Sequence, residues 1–178
     1  MPMIRVCTSL AVVATLVGAC GGMAGTESGT TVNNTQASDA TTREEIRAVL
    51  DRYVKSVNEA DEAILRQLWV RPDDASYVNP MQRLRSWGEV QGFWQGFLKG
   101  GFTRRELKPD NVVINVAGDV AWAVFDWEFN AIQTDGKPMQ SRGWETHVYR
   151  RTDRGWRITH AHYSVSAVPP PTGGKAGQ

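Results

Sequence analysis

The sequence predicts an α+β domain, with helices first and an antiparallel sheet after them. Three observations carry this. Apolar residues early in the folded part recur with a helical period. From Leu107 onward they recur with period two. The turns between the later runs (Ala117-Gly-Asp119, Thr134-Asp-Gly-Lys137 and Thr152-Asp-Arg-Gly155) are hairpin signals.

The first helix is read from Ile46, Val49, Leu50, Tyr53, Val54 and Val57, which form a single stripe. Thr42-x-x-Glu45 ahead of it has the form of a capping box and sets the expected start. Asn58-Glu-Ala-Asp61 closes that helix, and Asp61 can cap a short second one through Leu68. Ser86-x-x-Glu89 opens a third, whose apolar face is Trp87, Val90, Trp94, Phe97 and Leu98 and which Gly100-Gly101 ends. Ala75 to Pro80 reads as a short strand. Four longer strands are expected over 107–116, 120–132, 140–151 and 156–166. Val120 to Ile132 is apolar on both parities, with Val120, Trp122 and Val124 on one side and Ala121, Ala123, Phe125, Trp127 and Phe129 on the other. Helices can cover only one face of such a sheet, so a homodimer through the other face is expected.

The ends are of a different kind. Arg5 precedes an apolar run, Cys7 to Val17, that is too short to span a bilayer but suits a signal peptide. Leu16-Val-Gly-Ala-Cys20 resembles the lipobox of bacterial lipoproteins. That resemblance implies cleavage after residue 19, lipid on Cys20, and a cell-envelope location facing the periplasm or exterior. Residues 20–41, rich in Gly, Ser, Thr and Asn, are expected to be a flexible tether, and 169–178 a disordered tail. Residues 42–168 then form the domain, which holds all seven tryptophans. Of the two cysteines only Cys20 survives cleavage, so no disulfide braces the fold. The net charge of +1 argues against nucleic acid as a partner.

The residues Val57-Asn-Glu-Ala-Asp61, Gly118-Asp-Val-Ala-Trp122 and Tyr149-Arg-Arg-Thr-Asp-Arg-Gly-Trp-Arg-Ile-Thr-His-Ala-His-Tyr-Ser164 resemble the SnoaL-like branch of the nuclear transport factor 2-like superfamily. The last block is also similar to the association domain of calcium/calmodulin-dependent protein kinase. The resemblance implies a cone with a pocket between the long helix and a curved sheet, and dimers through the outer sheet face. It implies no single activity, since the superfamily spans isomerases, cyclases, dehydratases, oligomerisation hubs and binding domains.

All three histidines, His147, His160 and His162, lie in the final hairpin. His160 and His162, two apart, are expected to share a face with Trp156, Ile158 and Ser164. A His-x-His strand can bind zinc, but hydrogen bonding within the sheet or at a dimer contact is the expected role, with no metal or cofactor. Acid–base chemistry is the better enzymatic idea, with His147 and Tyr163 as catalytic candidates and Asp126, Glu128 and Glu145 as carboxylates at hand. By the resemblance, Trp127, His147 and Tyr163 occupy pocket-facing positions where the kinase association domain carries arginines suited to a carboxylate. Their absence favours a neutral or aromatic ligand. Tyr53, Trp94, Trp127, His147 and Tyr163, with Tyr77 and Asn79 near the mouth, are the expected binding set.

Three functions stay open on the sequence: a lipid-anchored domain binding a small apolar or aromatic molecule, an isomerase or dehydratase using His147 with a carboxylate or tyrosine, and a structural oligomerisation module whose cone is filled by its own side chains. The anchor is testable directly. Cys20→Ala should accumulate as unlipidated precursor or soluble protein in a metabolic acyl-label experiment, and normal membrane retention of the variant would refute the lipobox reading.

Overall fold

The computed structural model describes residues 28–71 and 74–167. The expected signal segment with Cys20 and the tail 169–178 lie outside the described residues. Helices α1 (Ser28–Asn58), α2 (Glu62–Leu68) and α3 (Trp87–Lys99) pack on a curved sheet of six strands: β1 Ser76–Val78, β2 Arg83–Leu84, β3 Phe102–Ala117, β4 Val120–Gln133, β5 Pro138–Thr152 and β6 Gly155–Val165. The strand order is β2-β1-β6-β5-β4-β3. Every neighbour pair is antiparallel except β1 with β6.

Helix α1 begins at Ser28 rather than at Thr42. The stretch from Ser28 to Thr41, expected to be tether, is therefore helical in its backbone. It contains no proline, and extending a helix that is already nucleated is cheap even for weak helix formers. Thr42 is consequently not a cap. It is buried inside the helix, and its Oγ1 accepts a hydrogen bond from Arg151 at 3.2 Å.

The other two starts follow the sequence. Asp61 caps α2 by accepting from the Ile64 N–H at 2.9 Å, and Ser86 caps α3 by accepting from the Glu89 N–H at 3.3 Å. The Glu89 carboxylate reaches back to the Arg85 N–H at 2.6 Å, one residue earlier than in the standard box. At the far end of α1, Asn58 accepts from the Leu107 N–H at 2.6 Å and donates to the Leu107 carbonyl at 3.2 Å. This pair fastens the helix to β3.

Ile46, Leu50, Tyr53 and Val57 of α1 meet the inner sheet face, where Ala121, Ala123, Phe125, Trp127 and Phe129 are buried beside Glu145, His147 and Tyr149. The outer face carries Val113, Val120, Trp122, Val124 and Trp144, all exposed, Trp144 at 56%. Both faces of β4 are thus apolar over Val120 to Val124, as its pattern predicts, while the outer face turns polar at Asp126, Glu128 and Asn130.

The parity of β6 departs from the expected alternation. Val148 pairs with His160, but the next residue, Tyr149, pairs with Ile158, so β6 holds one extra residue, Thr159. Such a bulge flips side-chain direction beyond it. His160, His162 and Ser164 therefore face outward, while Trp156 and Ile158 face the core. His147, opposite Ala161, faces inward, away from the other two histidines. His160 Nδ1 lies 2.8 Å from the Ser76 hydroxyl of β1, which pairs with it across the parallel ladder.

Gly143 marks a close approach. A Cβ there would lie 1.8 Å from the Ser164 carbonyl oxygen, so any side chain would push β5 away from β6 beside the inner cavity described next.

Candidate functional site

A cavity of about 140 Å³ remains between α1, α3 and the inner sheet face. Tyr53 enters it from α1, Trp94 from α3, Tyr77 from β1, Trp127 from β4, Glu145 from β5 and Tyr163 from β6. These elements enclose the pocket between helix and curved sheet that the family resemblance implies. The rings hold one another edge-on: Tyr53 and Trp94 with centroids 5.7 Å apart at 87°, and Trp127 and Tyr163 5.7 Å apart at 82°. Such edge-to-face pairs favour a fixed wall over a collapsed one.

The polar feature of this wall is a carboxylate. Glu145 is 4% exposed, and its Oε1 receives the Tyr53 hydroxyl at 3.0 Å and His147 Nε2 at 2.8 Å. His147 is fully buried, and its Nδ1 lies 3.0 Å from the Tyr149 hydroxyl. Burial, followed by the negative charge of Glu145, holds the Tyr149 hydroxyl in its protonated form, so it donates to Nδ1 and leaves Nε2–H to donate to the carboxylate. The chain Tyr149–His147–Glu145 runs from the core to the cavity. Both bonds to Glu145 converge on Oε1 and leave Oε2 as the oxygen not committed to Tyr53 or His147.

The other donors in the cavity are neutral. Burial first, and the Glu145 charge next, raise the hydroxyls of Tyr53 and Tyr77 well above the usual phenol range and raise that of Tyr163 as well. Among the described residues, the indole N–H groups of Trp94 and Trp127 are buried without an acceptor. Buried donors are rarely left so.

Of the expected binding set, Tyr53, Tyr77, Trp94, Trp127 and Tyr163 do line the cavity. Tyr77 is fully buried there instead of standing at a mouth. His147 and Asn79 need correction. His147 stands behind Glu145, against Tyr53 at 4.7 Å and Phe125 at 5.2 Å between ring centroids, and is not part of the cavity wall. Asn79 does not reach the cavity; its Oδ1 accepts from the Met81 and Gln82 N–H groups at 2.9 and 3.0 Å and holds the β1–β2 turn.

Asp126 and Glu128 sit on even positions of β4 and bond to Asn111, and to Asn130 and Gln140, outside the cavity. That leaves Glu145 as the carboxylate of the site. Its alternation with His147 and Tyr149 on one strand face was visible as Glu-x-His-x-Tyr. What the sequence could not show is that α1 supplies Tyr53 to the same oxygen. Among the described residues, no cluster of three or more His, Cys, Asp or Glu could hold a metal ion.

Comparison with known proteins now bears on this geometry. A profile of the SnoaL-like domain matches residues 46–168. The chain belongs to the SnoaL-like family. A nuclear transport factor 2-like superfamily protein from Salmonella enterica serovar Typhimurium is 33% identical, covering 78% of this chain and 99% of its own, with a TM-score of 0.67. A structure from Streptomyces avermitilis, described as a dehydratase from the nuclear transport factor 2-like family, is 19% identical over 73% of this chain and 99% of its own (TM-score 0.68). A hexachlorocyclohexane dehydrochlorinase is 14% identical over 75% and 96% (TM-score 0.63). The last two show likeness of fold alone. Among curated proteins, none matches this chain.

The tyrosines give the site a pH signature. The chain has four tyrosines, and all four are held above the ordinary phenol range in the fold. A raised folded pKa means that the unfolded chain loses these protons first, so stability is full below about pH 10 and falls as pH rises beyond it. Denaturant midpoints should drop above about pH 10, and tyrosinate absorbance should appear together with loss of the near-ultraviolet circular dichroism signal. Tyrosinate absorbance appearing at ordinary phenol pH in the still-folded protein would contradict this.

Proposed function

We propose that the cavity binds a small, neutral, single-ring molecule carrying a hydrogen-bond donor, which meets Glu145. The observation that carries this reading is open space of about 140 Å³ walled by aromatics around a single buried carboxylate. A cavity of roughly 150 Å³ is known to hold benzene, so one ring fits and a drug-sized ligand does not. Glu145 repels anions. The unpaired Trp94 and Trp127 donors and the neutral tyrosine hydroxyls suit an acceptor on the same ligand. The space also argues against a cone filled by its own side chains.

Phenol, toluene and benzoate are suitable probes by calorimetry. Phenol should bind best and benzoate worst, and Glu145→Gln should weaken phenol by about 1–3 kcal/mol. Equal binding of benzoate and phenol, or indifference to Glu145→Gln, would sink the proposal.

A catalytic version rests on the Tyr149–His147–Glu145 chain, which leads inward from the cavity. Glu145 Oε2 would take a proton from carbon as the ligand eliminates a neighbouring group, with the neutral Tyr163 hydroxyl as the donor to that group. Neighbours of this fold described as a dehydratase and a dehydrochlorinase support elimination as the reaction class. In this version Glu145→Gln abolishes turnover, a loss larger than its weakened binding accounts for.

The setting follows the sequence. We place the domain on a membrane of the cell envelope through lipid on Cys20, as a dimer through the exposed outer face bearing Trp122, Val124 and Trp144. Sedimentation at micromolar concentration should give a dimer that Trp144→Glu dissociates. A parent protein that sediments as a monomer would remove the dimer from the proposal.

A further inference from the structure

At the other end of β5 from the cavity lies a groove of about 720 Å³ between the end of α2 and the β5–β6 turn. Five of its lining side chains are arginines, namely Arg66, Arg71, Arg150, Arg154 and Arg157, against one acid, Asp153. In a chain of net charge +1, this concentration of one sign is local and not a property of the whole surface.

Most of the arginines are fixed. Arg71 donates to the Arg66 carbonyl at 2.9 Å and lies 5.1 Å over the Trp87 ring. Arg150 pairs with Asp74 at 2.6 Å, and Arg157 donates to the Trp156 carbonyl at 2.8 Å. Arg66 lies 3.6 Å from Glu62, a loose pair on the same helix. Arg154 has no side-chain hydrogen bond or ion pair among the described residues. Burial, then the like charges of Arg52 and Arg154, depress the Arg157 guanidinium, with Asp153 opposing. Like charges gathered on one groove are relieved by an anion between them.

We propose that this groove is a binding site for a phosphate-type oxyanion, a second site separate from the apolar cavity. The chemistry is that of planar guanidinium forks, which match phosphate oxygens in pairs. Its size admits an anion larger than inorganic phosphate. Two sources carry such a group. One is a soluble phosphorylated molecule. The other is a lipid headgroup, which the lipid proposed on Cys20 would bring to the domain.

The test uses the full chain with Cys20→Ala, so that no acyl chain contributes. Two probes are read: pyrophosphate by calorimetry, and co-sedimentation with phosphatidylglycerol or phosphatidylcholine vesicles. Arg154→Glu and Arg66→Glu alter exposed side chains, with circular dichroism as the fold control. Arg104→Glu, at the far end of the sheet and 72% exposed, makes the same change in net charge away from the groove.

Pyrophosphate binding that weakens roughly tenfold or more in either groove variant, and not in Arg104→Glu, supports the site with a soluble occupant. Binding to phosphatidylglycerol but not phosphatidylcholine, with the same dependence on the groove arginines, supports it with a lipid occupant. Equal loss in all three variants shows only the net charge acting and overturns the proposal. So does binding of neither probe. None of these readouts involves the apolar cavity, so Glu145→Gln should leave them unchanged.

Discussion

Burying one carboxylate sets the terms for the rest of this structure. Glu145 lies on the inner face of β5, where its neighbours are aromatic rings and helix α1. An unpaired charge there would cost several kcal/mol, and removing a partner from a buried ionic group typically costs about 3–5 kcal/mol. The fold meets that cost from two directions. His147, two residues along the same strand, donates from behind, and Tyr53 donates from across the interior. The second bond links α1 to β5 over a sequence separation of 92 residues, so the position of the helix and the pairing of the carboxylate are one problem. The Asn58 bonds to Leu107 fix the same helix against β3 one turn further on. Between these two attachments α1 cannot slide inward, and the space under it stays open.

That account changes what His147 is for. A histidine pointing into an apolar cone invites a reading as the ligand's partner. In the structure it is wholly enclosed, and both ring nitrogens are engaged with protein groups. In the proposed function it acts on a ligand through Glu145, as a positioning residue. Its tautomer is fixed by Tyr149, whose own proton is held by burial. The site therefore presents an acceptor from Glu145 and several neutral donors, a polarity opposite to that of a cone built for carboxylates.

The parts of the fold legible in the sequence were those governed by local periodicity. The helical stripe from Ile46 to Val57, the caps at Asp61 and Ser86, and the strand runs with their hairpin turns are all repeated in the structure because each depends on neighbours within a few residues. What was not legible depends on partners far away in the chain. Thr42 looked like a cap because its local spacing fits one, yet nothing locally stops the helix from extending back to Ser28. The outward turn of His160 and His162 follows from one extra residue at Thr159, a pairing choice that no two-residue alternation reveals. Asn79 was placed near a mouth by its strand, but its side chain closes a turn two and three residues on, a competition that short polar side chains often win. Of the aromatic lining, Tyr53, Tyr77, Trp94, Trp127 and Tyr163 were expected from the sequence, while Phe93, Phe97 and Phe129 were not. Large rings on inward parities of facing elements have few other places to go.

The two ends of β5 differ in a way that one strand can sustain. Its first half alternates around Gly143 and Glu145, where the close approach of β6 leaves no room for a Cβ and the wall is aromatic. Its second half ends in Arg150 and Arg151, which point to opposite faces. Arg151 turns in toward α1, stacking 4.5 Å over Trp156 while reaching Thr42. Arg150 turns out into the arginine groove. The bulge at Val148 and Tyr149 lies between these halves, and it is what allows Trp156 and Ile158 to close the core under Arg151 while His160 and His162 stay outside. A buried carboxylate needs partners inside the fold, whereas a cluster of guanidinium groups needs water or a counter-ion. The two stand at opposite ends of one strand, with the packed Phe125–His147–Tyr149 layer between, so the carboxylate is paired by Tyr53 and His147 while the guanidinium groups stay at the surface.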